Sequence, residues 1–485
     1  MKARMPHPCI LKFRQYNVYN IITCISQYSK RLFYLNNSDI NAVILQTSSY
    51  GQVYISAWEL VDMIYFAIQH SSLEPSAKVI NNEREFVDLY HFFDSYKNDI
   101  DIEIINNYRD NVLLFVHCFG GEQTRFQMVK PQMDSFFRTM YLLDVVMRRM
   151  IPKINIDQII YEKFHLSLIE FSTAIFSLWA GSKDKIIVPV DITNSKSLLR
   201  SKNILPILEY YSCTLEEIKM SDLKRQIFYS KPLIKTPDNN FIISNYHLFF
   251  FCFQECVYWL IRDYYNQNGS RAFTSEYGKC FEDYFHELLN EYLSNEQFER
   301  IQEGRTQKAD WKLTIGDYKL LVEQKSSLAY IGVKQQTPDL EKAASFLRKT
   351  WGKAIKQLDN TEKEISDGEY IKIILVVDDY FMDEALDIVF QVDDDLPEND
   401  GRYWLVSIDM MEMLLYTYKN VPDKFLLIME EKMSLELEHS SDGRSFSMLF
   451  SKYDINKNEH INQHKFLKYK EEIFKIVKED LRKDL

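Results

Sequence analysis

The 485-residue chain lacks both a recognisable disulfide framework and an apolar N-terminal segment. Its seven cysteines are scattered and odd in number, and none forms a C-x-x-C pair: Cys9, Cys24, Cys118, Cys213, Cys252, Cys256 and Cys280. This usage favours reduced thiols over disulfides. The opening stretch "MKARMPHPCILKF" has no signal core. We therefore expect a soluble, cytoplasmic protein.

Long hydrophobic runs are also absent. The most apolar run, "LFFFCFQECVYWLI" (248–261), is interrupted by Gln254 and Glu255, which predicts a buried helix and no membrane span. Residues 1–225 contain no G-x-x-x-x-G-K-[ST] loop, no H-E-x-x-H and no G-x-S-x-G. These absences favour a helical module for scaffolding, sensing or partner contact over a second enzyme.

What is present is ample core-forming material, with 46% hydrophobic and 14% aromatic residues, enough for two or three domains. The patterns predict a mostly α-helical regulatory or assembly domain at 1–230, in which 156–181 reads as one helix, and a hairpin with a helix at 231–270. They further predict an α/β domain with a mixed central sheet flanked by helices at 271–430, and a charged extension at 431–485. The helical domain is the candidate surface for a protein partner or for homo-oligomers.

The stretch "KADWKLTIGDYKLLVEQKSS" (308–327) reads as a hairpin that turns at Gly316-Asp317. In this register Ile315 pairs with Tyr318. Side chains alternate between faces along a strand, so one face is apolar throughout. The other face carries Asp310 directly opposite Glu323.

Two opposed carboxylates repel each other unless a cation lies between them. Hard oxygen ligands suit Mg²⁺ or Mn²⁺, so Asp310 and Glu323 form a candidate metal site. Lys325 shares this face and would orient a metal-bound water or a phosphate. The alternative is a solvated hairpin face with an ordinary Glu/Lys pattern.

An amphipathic helix is predicted just upstream, at 275–293, and Glu282 lies at the edge of its apolar stripe. An acid at the border of a buried face is costly unless it is paired or metal-linked. Gly278, one turn earlier, allows close backbone approach. The alternative is a surface glutamate that reaches out from the stripe.

Together these residues resemble the PD-(D/E)XK nuclease superfamily, the restriction-endonuclease-like fold, over about residues 270–430. The matching positions are Glu282 in "GKCFEDYF", Asp310 in "KADW", Glu323 and Lys325 in "LVEQKSS", and Gln357 in "WGKAIKQLDN". One departure is Ala309, where the family name has proline.

The resemblance implies Mg²⁺-dependent phosphodiester hydrolysis, with Mn²⁺ as a substitute. It assigns metal binding to Asp310, Glu323, the backbone carbonyl of Gln324, and Glu282 as a further ligand or nearby acid. It assigns Lys325 to the water and the scissile phosphate. Gln357, on the following helix, would be a supporting catalytic contact.

The charge around these residues favours nucleic acid as the substrate. Between 300 and 356 there are twelve basic and six acidic residues, a local balance of +6 in a chain of −12. Such a patch can follow phosphates without reading bases. The residues expected to contact DNA, with RNA not excluded, are Lys308, Lys312, Arg348, Lys349, Lys353 and Lys356. A solvated helix face is the alternative for those beyond 342.

The first hypothesis is therefore a nuclease of DNA that acts in restriction or antiviral defence. This biological role is inferred by analogy with nucleases that carry a large accessory domain. The second is a catalytically silent nucleic-acid-binding or assembly protein on a nuclease fold. The third is a nuclease that acts only after a partner or ligand trigger. Sequence specificity and endonuclease or exonuclease action stay open.

Overall fold

The structure is a computed structural model. It describes residues 7–35, 42–107, 112–127, 133–150, 155–183, 186–188, 204–267, 272–302, 307–327, 339–377, 385–440, 443–455 and 467–482.

The first half of the chain is mostly helical. Its helices are α1 (Pro8–Phe13), α2 (Val18–Tyr34), α3 (Ala57–His70), α4 (Glu83–Asn107), α5 (Val112–Gln127), α6 (Met133–Tyr141), α7 (Arg148–Met150), α8 (Ile156–Phe164), α9 (Leu168–Ser182), α10 (Ile204–Tyr210), α11 (Leu215–Met220), α12 (Ile227–Ser230) and α13 (Tyr246–Gln267). A π-helical segment (Leu142–Met147) joins α6 to α7, and a 3-10 turn (Lys224–Gln226) precedes α12. This agrees with the helical region expected from the sequence.

The helix expected at 156–181 is instead two helices, α8 and α9. His165 ends α8 in the left-handed conformation, with φ of 56°. Ser167 then begins α9 with a capping box, in which its side chain and that of Glu170 bond each other's backbone N–H groups. This local hydrogen bonding stops the first helix although the apolar spacing continues.

Two small sheets accompany these helices. One is a hairpin of β1 (Val43–Ser48) and β2 (Gly51–Ser56). The other has the order β3-β6-β5-β4, formed by β3 (Ile187–Val188), β4 (Ser212–Cys213), β5 (Leu233–Lys235) and β6 (Phe241–Ile243). The hairpin predicted at 231–244 is confirmed by the antiparallel β5–β6 pair, and Asn239 in its turn has φ of 56°. The predicted buried helix follows as α13, and none of the described helices is long and apolar enough to cross a membrane.

The second half contains a five-stranded mixed sheet with the order β11-β10-β9-β8-β7. Its strands are β7 (Phe298–Arg300), β8 (Trp311–Ile315), β9 (Tyr318–Lys325), β10 (Ile371–Val376) and β11 (Tyr403–Ser407). The pairs β7–β8 and β8–β9 are antiparallel, whereas β10 lies parallel to both β9 and β11. The expectation of an α/β unit with a mixed central sheet is thus confirmed.

The described residues of the second half also form helices, some of which cover the two faces of this sheet. They are α14 (Ala272–Tyr292), α15 (Leu340–Leu347), α16 (Lys353–Ile365), α17 (Ala385–Val392), α18 (Ile408–Asn420), α19 (Pro422–Leu437), α20 (Phe446–Lys452) and α21 (Leu467–Arg482). A π-helical segment (Arg348–Gly352) joins α15 to α16. One face packs with α14 and α18 in a core that contains Trp311 and Val322, and the other packs with α16 around Leu321 and Ile374.

The two halves share one hydrophobic core. The cluster that contains Trp311 also contains Phe137 from α6, Phe253 from α13 and Ile473 from α21. The boundary proposed at 430/431 falls inside α19, and the one at 270/271 lies outside the described residues. The C-terminal extension packs back on the helical half, where Tyr469 donates a 2.7 Å hydrogen bond to Asp144.

Candidate active site

The hairpin of β8 and β9 has the register that the sequence predicted. Ile315 faces Tyr318 and Trp311 faces Val322. Gly316 at the turn has φ of 61°, a conformation that glycine adopts without steric cost. Trp311, Leu313 and Val322 point into one core as expected. Leu321, between the charged residues, points into the other core under α16.

Asp310 departs from this register by one residue. Its N–H donates to the carbonyl of Val322 (3.0 Å), the residue that already faces Trp311. Its carboxylate accepts the backbone N–H of Gln324 (2.7 Å). The prediction that Asp310 lies directly opposite Glu323 is therefore wrong in detail. An extra residue at the end of a ladder re-aims its side chain, as β-bulges do beside functional sites.

Glu323 is a buried carboxylate, with only 3% of its surface exposed. Burial, and then the nearby charge of Asp310, raise its pKa from 4.5 to about 8, although Lys325 and Gln357 oppose this shift. One carboxylate oxygen, Oε1, accepts a hydrogen bond from the ammonium of Lys325. The other, Oε2, is fully enclosed and meets no hydrogen-bond donor among the described residues. An unsatisfied buried oxygen is costly and points to a ligand that would complete it.

Lys325 is held between strand and helix. Besides Glu323, its ammonium donates to the side-chain oxygen of Gln357 on α16 (3.0 Å). The amide nitrogen of Gln357 donates in turn to the backbone carbonyl of Lys308 (3.1 Å). Three of the predicted catalytic residues, Glu323, Lys325 and Gln357, thus form one connected group, with Asp310 beside it.

A residue that the sequence reading missed, Thr361, supports this group. It lies one turn after Gln357 on α16, and its hydroxyl accepts the N–H of Ala309 (2.7 Å) while donating to the carbonyl of Gln357 (2.8 Å). The bond fixes the backbone that leads into Asp310. Gln357 and Thr361 are four residues apart, which places their side chains on the same face of a helix, and this spacing is the sequence feature from which Thr361 could have been predicted.

Gln324 contributes through its backbone. Its side chain lies on the opposite face of the sheet, where it accepts from the Trp311 indole (2.7 Å) and donates to the carbonyl of Phe281 (3.2 Å). Its backbone N–H donates to the carboxylate of Asp310, so the backbone of Gln324 lies beside the candidate site.

Glu282 is engaged differently. It lies on α14, and its carboxylate pairs with Arg300 of β7, whose guanidinium also lies 5.7 Å from the centre of the Trp311 ring. Among the side chains that the structure places, no three of His, Cys, Asp or Glu come together as a metal-binding group. Gly278 allows α14 to approach the end of β9 closely, since a Cβ at this position would lie 3.2 Å from the hydroxyl of Ser326, the residue after Lys325.

Most of the basic residues expected to contact nucleic acid have partners within the protein. These contacts are Lys308 with Glu364 (2.5 Å), Lys312 with Asp367 (2.7 Å), Lys356 with Asp393 (3.2 Å) and Arg348 with the carbonyl of Val392. Lys349 and Lys353 are exposed and form no ion pair with any described residue. The acids that pair with Lys308, Lys312 and Lys356 lie beyond residue 356, outside the stretch whose charge was counted.

The fold and this group of side chains define a mixed α/β protein with a partly buried carboxylate–lysine site at the ends of two adjacent strands. Comparison with protein-family models, with curated proteins and with solved structures gives no match to this chain.

Proposed function

We propose that this protein is a Mg²⁺-dependent nuclease that hydrolyses phosphodiester bonds of DNA at the site formed by Asp310, Glu323, Lys325 and Gln357. The observation that carries the proposal is the enclosed, unpartnered oxygen of Glu323 beside the carboxylate of Asp310. Two carboxylates in such a place disfavour each other's ionisation unless a cation joins them.

The residues fit Mg²⁺ on chemical grounds. This ion is bound by one or two carboxylates and keeps several of its waters, so it does not need a cage of three acids. Asp310 and Glu323 would supply the carboxylates, and the carbonyl of Gln324 a neutral oxygen. When bound, the metal would acidify a water and stabilise charge on the phosphate.

The remaining chemistry belongs to the side chains. Lys325 is a cation fixed by two hydrogen-bond acceptors, so it can hold a phosphate oxygen or a water without a large cost of ordering. Gln357 sets the direction of that ammonium from α16. Glu282, paired with Arg300, would join only if that ion pair opened.

DNA is proposed as the substrate because two exposed lysines form no ion pair with a described residue: Lys353 at the start of α16, the helix that carries Gln357, and Lys349 in the π-helical segment before it. The chain as a whole is acidic, with a net charge of −12, which would confine a polyanion to such local basic patches. A defence role, with the helical half receiving a partner or ligand trigger, is part of the same proposal.

The test is cleavage of supercoiled plasmid and of labelled single-stranded RNA by the full chain, with Mg²⁺, Mn²⁺ or EDTA. We expect plasmid cleavage with either metal, none with EDTA, and loss of cleavage in Asp310→Asn. Glu364→Gln, which removes an exposed carboxylate near Lys308, is the matched control. Metal-independent cleavage, or full activity in Asp310→Asn, would reject the site. Binding of DNA without cleavage would favour a catalytically silent protein.

A further inference from the structure

A cavity of about 330 Å³ lies in the helical half, away from the carboxylate–lysine site. It is bounded by one face of α13, by the end of α10 and by the segment around α12. Its volume is within the range of about 300–1,000 Å³ that small-molecule sites occupy.

The walls of the cavity are rich in aromatic rings. They include Tyr210, Tyr229, Phe251 and Trp259. Flat rings of this kind favour a flat ligand, because stacking against an aromatic side chain contributes about 1–3 kcal/mol for each base-sized ring. Leu260 and the protonated thiols of buried Cys252 and Cys256 make the floor apolar.

The polar side chains of the cavity include two carboxylates, those of Glu255 and Asp263. Glu255 accepts the indole N–H of Trp259 (2.8 Å) through one oxygen, and the other oxygen has no hydrogen-bond partner among the described residues. Asp263 also lines the cavity, within electrostatic reach of Arg262 and Lys163. These acceptors suit N–H donors on the edge of a ring.

The lining contains one cationic side chain, that of Arg262. The Arg262 guanidinium lies 4.7 Å from the centre of the Trp259 ring, and its enclosed Nε meets no acceptor among the residues described. The lining itself carries two carboxylates against this one arginine, and Lys163 lies outside it, over the ring of Tyr210; this balance disfavours a phosphate group. The charge of the lining therefore favours an uncharged ring over a nucleotide.

We propose that this cavity binds an uncharged nucleobase or nucleoside, stacked on Trp259 and hydrogen-bonded to Glu255. The proposal stands independently of the nuclease assignment, since it rests on other residues. The charge of the lining residues favours a nucleoside without a phosphate over the corresponding nucleotide.

The experiment is isothermal titration calorimetry of the full chain with guanosine, adenosine, cytidine and uridine, and with the 5′-monophosphate of the tightest binder. We expect at least one nucleoside to bind with Kd below about 1 mM. We expect its monophosphate to bind more weakly. The proposal is overturned if none of the four binds, or if the monophosphate binds more tightly than its nucleoside.

Two variants locate the binding. Trp259→Ala should weaken it by about tenfold or more, as loss of a stacking partner does. Glu255→Gln retains an acceptor for the indole N–H of Trp259 but removes the negative charge, so it should weaken nucleoside binding. Its circular dichroism spectrum should match that of the wild type. If Trp259→Ala does not fold, Glu255→Gln alone tests whether the ligand binds in this cavity. Tyr54→Ala, which alters an exposed aromatic residue on β2, is the control. Unchanged affinity in Glu255→Gln would place the ligand elsewhere.

Discussion

The ammonium of Lys325 donates a 3.0 Å hydrogen bond to the side-chain oxygen of Gln357, which joins the last residue of β9 to the helix packed over it. The two residues are separated by 32 positions in sequence, yet they share one polar group with Glu323. This bond fixes where the lysine's charge lies relative to the carboxylates.

Substitution of Gln357 tests whether that bond positions the lysine. Gln357→Ala removes the acceptor, so Lys325 should lose its direction while it keeps its pairing with Glu323. We expect kcat for DNA cleavage to fall by about 10–100-fold with little change in KM, because misplacement of a reacting group affects the transition state more than ground-state binding. Asn360→Ala, on the exposed side of the same helix, should leave both constants unchanged. A rise in KM alone would assign Gln357 to substrate binding instead.

The raised pKa of Glu323 predicts how stability changes with pH when metal is absent. Its folded-state pKa of about 8 exceeds the ordinary value of 4.5, so between these values the folded protein binds more protons than the unfolded chain. The contribution of Glu323 to the free energy of unfolding therefore decreases as pH rises from about 4.5 to about 8. Glu323→Gln should remove this contribution, so the variant should lose less stability than the wild type over that window.

Denaturant unfolding in EDTA, at about pH 5.5 and about pH 8, measures that difference. Added Mg²⁺ should stabilise the wild type more at the higher pH, where the carboxylate is ionised, and should do so less in Glu323→Gln. The same pH slope in wild type and variant would contradict a raised pKa at this position.

The helical half is tied to the sheet by a buried charge network. Arg138 of α6 pairs with Glu412 of α18 (2.6 Å) and with Asp409, and Glu412 also accepts the hydroxyl of Tyr284 on α14 (2.6 Å). Arg138→Ala would leave two buried carboxylates uncompensated, so we expect a loss of about 3–5 kcal/mol in the free energy of unfolding.

Arg149→Ala provides the comparison for that network. Its side chain is half exposed and pairs with Asp283 and Glu287 on α14. Exposed pairs contribute about 1 kcal/mol or less, so this variant should change stability far less, as followed by urea unfolding. Equal losses in the two variants would show that the buried network does not hold the halves together.

Local pattern predicted the parts of the structure that depend on neighbouring residues. The alternation in 308–327 and the Gly316 turn were enough for the register of the hairpin, and apolar spacing was enough for α13 and α14. The break at His165 was not predicted, because a capping box outweighed an apolar period that continues through it. The backbone just before Asp310 is held by a hydrogen bond from the N–H of Ala309 to the hydroxyl of Thr361, which is 52 positions away, so no local pattern contains it.

The charge of the site was the part least visible from sequence. Lys308, Lys312 and Lys356 read as a basic patch because their acidic partners follow later in the chain. Folding brings Glu364, Asp367 and Asp393 to them. The pairing of Glu282 with Arg300 likewise depends on how β7 lies along α14. Ion pairs between residues so far apart in sequence form only when the whole domain packs, so they cannot be predicted from any one segment.

The central claim is that Lys325 acts on a phosphodiester bond beside Asp310 and Glu323, and one comparison tests it most directly. It is the single-turnover rate of Mg²⁺-dependent plasmid cleavage by wild type, by Lys325→Ala and by Lys219→Ala, which removes an exposed lysine in the helical half. The account predicts a loss of about 100-fold or more in Lys325→Ala, with DNA affinity retained and the variant still folded, and no loss in Lys219→Ala. Cleavage by Lys325→Ala at the wild-type rate would contradict it.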